Sequence, residues 1–108
     1  MSCGDAANSW VPTLAPSVWT GTVGTDSLVA VFTTALHAAA IVIGGVAGVG
    51  TWSKDSEGFK FTAALEGITW HVTVHADACA VGGDVTAAAG TALDGNSQSY
   101  AVAMTRTV

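Results

Sequence analysis

The residues from Phe59 to Ala76 constrain this chain more than any other segment, because polarity alternates on both sides of a two-residue break. With Glu66-Gly67 as the loop of a hairpin, Leu65 faces Ile68, Ala63 faces Trp70, Phe61 faces Val72 and Phe59 faces Val74. These side chains then share one face, while Lys60, Thr62, Thr69, His71 and Thr73 take the other. A slip of one residue would set Thr62 against Trp70 and Lys60 against Val72. Burial of the apolar set therefore selects the first register. The turn carries a conflict, since a type I′ loop needs positive φ at both central residues and Glu66 is poorly suited to it. A hairpin with one apolar face must pack against a second layer, so a small, mainly β domain is expected.

Weaker signals repeat the theme. Ser17 to Val23 alternates, with Trp19, Gly21 and Val23 opposite Val18, Thr20 and Thr22, and Gly24–Ser27 breaks the run. Val46 to Ser53 reads as a strand whose glycines mark a bulge or a close backbone approach, followed by a polar turn at Lys54–Gly58. Val85–Leu93 is rich in Ala and Thr, Asp94–Gln98 is a loop, and Tyr100–Val108 places Tyr100, Val102 and Met104 on one face. The sum is about six to eight short antiparallel strands, arranged as a sandwich or small barrel. Residues 1–16 hold both prolines, Pro12 and Pro16, and read as an extended arm. That leaves 17–108 as a single β-rich domain, long enough to bury a core without staples.

The span 26–43 is ambiguous. Asp26 is a fitting N-cap and Gly44-Gly45 a fitting stop, and the alanines of Leu36–Ala40 favour helix. Val29, Val31, Thr33, Ile41 and Ile43 favour strand, and periodicity does not separate a buried helix from two buried strands. A helix over part of this span, packed on the sheet, is the expectation. The longer run Leu28–Val49 is apolar enough to reach across a bilayer. Gly44, Gly45 and Gly48 interrupt it, and no Lys or Arg directly flanks it, so a buried core is the favoured reading.

Charged residues make up 10% of the sequence, against about 25% in ordinary soluble domains. Thr, Ser and Gly supply much of the remaining polarity, and a surface so poor in charge implies a partner that covers part of it. Net charge is −5, with Lys54, Lys60 and Arg106 the only basic residues. No basic stripe exists for phosphates, which argues against nucleic acid and against an electrostatic grip on anionic lipid. Met1-Ser-Cys-Gly-Asp5 has no basic segment leading into an apolar one, so no signal peptide is expected there and the compartment stays open.

Chemistry-bearing motifs are absent. There is no G-x-S-x-G, and Gly44–Gly50 lacks the Lys-Ser/Thr ending of a phosphate loop. Nearly all of the eight acids fall at predicted turns, where capping and solvated roles are the default. His71 and His75 share a strand face about 13 Å apart, too far to hold a metal together without ligands from elsewhere. On an interface they would confer sensitivity near neutral pH. Cys3 and Cys79 lie outside any C-x-x-C; they would pair in an oxidising compartment and remain thiols in a reducing one. No cofactor or metal site is expected, and the chain does not read as an enzyme.

Trp70 belongs to the hairpin's apolar face. Trp10 and Trp19 flank the prolines, and with Trp52, His71 and His75 they are the candidate contacts to a ligand or partner. The leading expectation is a non-enzymatic structural or assembly subunit, a homo-oligomer that builds a particle, coat or tube through apolar contacts. The alternatives are a ligand-binding β module, lectin-like or enclosing an apolar molecule, and a protein that inserts into membranes through 28–49.

Overall fold

Three of the seven strand connections are two-residue turns, at 24–25, 44–45 and 66–67. The computed structural model describes residues 17–33, 37–54, 59–79 and 85–107. They form β1 (Ser17–Val23), β2 (Asp26–Phe32), β3 (Ala38–Ile43), β4 (Val46–Lys54), β5 (Phe59–Leu65), β6 (Ile68–Cys79), β7 (Val85–Leu93) and β8 (Ser99–Arg106). Each strand runs antiparallel to the next, and β1 pairs with β8, so the sheet closes into an eight-stranded barrel. Of the two architectures expected from the alternation, the barrel is the one that forms, and no helix occurs among the described residues.

The turns follow from their residues. Gly44 and Gly45, between β3 and β4, have φ of 58° and 85°, the double positive pattern of a type I′ turn. Gly24 supplies the positive φ, 60°, between β1 and β2. Between β5 and β6 the register is the expected one, with Leu65 opposite Ile68, Ala63 opposite Trp70, Phe61 opposite Val72 and Phe59 opposite Val74. Its turn keeps the conflict visible in the sequence, for Glu66 sits at φ 51° beside Gly67 at 81°. Burial of Phe59, Phe61, Ala63, Leu65, Val72 and Val74 outweighs the cost of one strained non-glycine residue, about 1–2 kcal/mol.

The helix expected within 26–43 is overturned. Asp26 opens β2 instead of capping a helix, and Gly44-Gly45 turns β3 into β4 instead of ending one. Leu28, Ala30 and Phe32 point into the barrel, opposite Ile43, Ile41 and Ala39 of β3. The period of two was hidden because Val29, Val31 and Val42, which point outward, are as apolar as their inward neighbours. For the same reason Leu28–Val49 is not one long apolar span but parts of three strands. No helix among the described residues is long and apolar enough to cross a membrane.

The interior is filled by side chains, as the width of an eight-stranded barrel allows. Trp19, Phe32, Phe59 and Phe61 are the largest fully buried residues, and Ala30, Ala39, Ala63, Ala88 and Ala92 make room for them. Phe32 meets Phe59 and Phe61 edge-on, each at a centroid distance of 5.1 Å. Curvature needs small residues where strands press together. A Cβ added to Gly50 would lie 1.7 Å from the Thr62 carbonyl oxygen, and one added to Gly21 would lie 1.9 Å from that of Ala103. Glycine here permits a backbone approach that closes the sheet.

Three outcomes check this account by chemical denaturation. Phe61→Asp places an unpaired charge among aromatic rings and abolishes the cooperative unfolding transition. Gly50→Val costs about 3 kcal/mol or more by overpacking. Glu66→Asn relieves the turn and adds about 0.5–1 kcal/mol, visible as a higher melting temperature.

Candidate functional site

Part of the outward face of β2 to β5 is an apolar wall on the barrel's exterior, while Thr51, Ser53, Lys60 and Thr62 occupy the remainder of that face on β4 and β5. Strand register builds it in rows. Val31 lies opposite Ala40, Ala40 opposite Val49 and Val49 opposite Ala64, which makes one row across four strands. Val29, Val42 and Ala47 form a second row beside it. These residues line a shallow depression of about 420 Å³ that contains no charged side chain. Val49 is 73% exposed, an unusual position for a β-branched aliphatic on a strand with neighbours on both sides.

The residues singled out from the sequence lie elsewhere. Trp19 is fully buried, and its indole N–H donates to Ser17 Oγ at 3.0 Å. Trp52 is also buried: its N–H donates to the Thr33 carbonyl at 2.7 Å, Phe59 stacks at 5.4 Å and His37 covers it at 4.4 Å, nearly parallel. Both rings are therefore spent on the barrel's own core and neither presents a free face. His71 and His75 stand on the outer face of β6, with His71 between Thr62 and Leu93, and His75 beside Ala89. They sit one strand beyond the wall and are separate from it. Trp10 and Cys3 lie outside the described residues, and so does any pairing of Cys3 with the Cys79 side chain. Among the described residues no group of three or more His, Cys, Asp or Glu is placed to hold a metal ion.

The end of the barrel that carries the short turns has a different chemistry. Asp94 organises the β7–β8 loop: its Oδ1 accepts from the backbone N–H of Asn96 at 2.8 Å and of Gln98 at 3.1 Å. The Tyr100 hydroxyl sits between Asp94 Oδ2, at 3.1 Å, and Gln98 Oε1, at 2.9 Å. Partial desolvation pulls the Asp94 carboxyl upward, but the hydrogen bonds from Asn96, Gln98 and Tyr100 outweigh it and hold the group below its ordinary value. The same bond to Asp94, aided by desolvation, raises the Tyr100 phenol. Tyr100 in turn packs on Trp70 at 5.7 Å, and both rings rest on the core at the barrel's mouth.

Sequence reasoning missed the wall and the half-buried position of Trp70. The wall's signal was present as apolar residues at both parities of 28–49, where one parity suffices for a core. Trp70 belongs by parity to the inward face and pairs with Ala63 of β5, but the β6–β7 ladder stops at His71–Leu93, so it lies just past the end of β7 and is half-buried. No family model, curated protein or solved structure matches this chain.

The loop gives a pH-dependent outcome. Asp94 is held below its ordinary value, so the stability it contributes is present above the unfolded value, about 3.9, and is lost as pH falls through the lower folded one. Urea unfolding of wild type and Asp94→Asn between pH 2 and 6 is expected to converge at the acid end and to separate above about pH 4.

Proposed function

We propose that this protein is a structural or assembly subunit that associates with further copies of itself through the outer wall of β2 to β5. The observation that carries the reading is the two-row apolar wall, uncharged and solvent-facing, on a barrel whose own core is already filled. Single exposed aliphatics are ordinary, whereas a contiguous set spread over four strands is a surface that gains by being covered.

Charge placement favours a second copy as the covering surface. The chain carries net charge −5, so two copies repel unless they meet away from their acids. Of the acids whose side chains are described, Asp26, Glu66 and Asp94 are gathered at the turn end, and none lines the wall. Two walls meeting about a twofold axis would bring Val, Ala and Val rows together with none of these three acids between them, the self-complementary pattern of an isologous interface. The barrel leaves no unpaired strand edge, so this contact would be made by side chains rather than by sheet extension.

Light scattering coupled to size exclusion tests the proposal. The wild type is expected as a dimer or larger species, and Val49→Asp as a folded monomer, since desolvated like charges cost several kcal/mol, roughly a hundredfold or more in affinity. A wild type that stays monomeric at high concentration, or a Val49→Asp variant that assembles unchanged, would reject it.

A further inference from the structure

We infer that the turn end of the barrel holds a binding site for a neutral carbohydrate, built around Trp70 and the β7–β8 loop. A groove of about 600 Å³ runs between the β5–β6 turn and that loop, within the usual range of small-molecule sites, roughly 300–1,000 Å³. Trp70 and Ile68 line it and also line the adjoining pocket of about 230 Å³ on the far side. Ile68 and Leu93, 45% and 41% exposed, extend the apolar floor.

The three described tryptophans differ in one respect. Trp19 and Trp52 give their indole N–H groups to protein acceptors, whereas that of Trp70 makes no hydrogen bond to any described residue. The groove thus offers an aromatic ring that is half-buried, rigid and equipped with an uncommitted donor. The Asn96 side-chain amide and the Ser97 hydroxyl line the groove from the loop, and the Thr69 hydroxyl and His71 imidazole line it from the outer face of β6, across the strand from Trp70; none of these side-chain groups has a hydrogen-bond partner among the described residues. Asp94 is different: its carboxylate is engaged by its own loop, which fixes Asn96 and Ser97 in place and preorganises them for a ligand.

A pyranose matches this arrangement. One face of the ring is a patch of C–H groups that packs on an aromatic plane, and its hydroxyls both donate and accept, as amide, hydroxyl and imidazole groups require. A purely apolar ligand would leave those polar groups unpaired. An anionic ligand would enter a groove lined by no Lys or Arg, with Asp94 in its wall and Glu66 at the neighbouring turn. Neutral sugar is the class that satisfies both conditions. The site lies at the end of β6 and β7, away from the wall on β2 to β5, so it does not depend on the assembly reading.

The test is a titration of the intact chain, labelled with 15N, with lactose, cellobiose, maltose and chitobiose, and with sialyllactose as the anionic control. Ligand is carried to about 20 mM, enough to populate a millimolar complex. Saturating shifts of the Trp70 indole N–H and of the Asn96 amide with at least one neutral disaccharide, and weaker response to sialyllactose, are expected. Trp70→Ala is expected to weaken binding by about tenfold or more, and Trp70→Phe, which keeps a ring but loses the donor, by less. Asn96→Ala, at an exposed loop residue whose side chain bonds nothing, should weaken binding without changing stability. No saturating shift with any of the four neutral sugars, shifts confined to residues outside the groove, a sialyllactose response as strong as the neutral one, or unchanged binding by both Trp70→Phe and Asn96→Ala would each overturn the assignment.

Discussion

The pairing of β1 with β8 is the contact on which the rest of this molecule depends. Trp19 through Val23 is matched to Arg106 through Val102, and the seam is tightened where the Val18 carbonyl accepts from both the backbone N–H and the hydroxyl of Thr107. Closing that seam removes both sheet edges and gives the inward rows of every strand a common interior. It also sets a demand on curvature, met where Gly21 and Gly50 let one backbone press against the next. Without closure, the aromatic cluster of Phe32, Phe59 and Phe61 would have nothing to pack against but water.

What could be read from the residues depended on whether the two faces of a strand differ. Phe59–Ala76 was legible to the register because Lys60, Thr62, Thr69, His71 and Thr73 contrast with the apolar set across the pleat. Ser17–Val23 and Tyr100–Met104 were legible on weaker versions of the same contrast. The span 28–43 was not, for Val29, Val31 and Val42 face outward and erased the alternation. Closure itself was beyond local pattern, since it joins residues as distant as Thr20 and Thr105, 85 positions apart. The helix expected there and the apolar wall found there are thus one fact: the residues that confused the local reading are those that build the surface.

The candidate contacts fared according to position along a strand. Trp19 and Trp52 fall at inward positions with neighbours above and below, so the barrel consumes them. Trp70 shares their parity but lies just past the last β6–β7 pair, His71–Leu93, and this places it half in and half out. Parity was readable from sequence; which end of a strand meets solvent was not, because that depends on where the neighbouring strands stop.

An even number of antiparallel strands gives the barrel a polarity. Ser17 enters and Arg106 leaves at one end, the end that also carries Trp52 and its His37 cover, while all four hairpin turns of β1–β2, β3–β4, β5–β6 and β7–β8 lie at the other. Whatever continues the chain beyond either strand therefore emerges opposite Trp70. A barrel tethered by its chain ends would hold its turn end outward, like a lamp on a post. Several such barrels joined side by side would point their mouths the same way or in opposite directions, according to the symmetry of the joint, and so fix whether the assembly displays one binding surface or two.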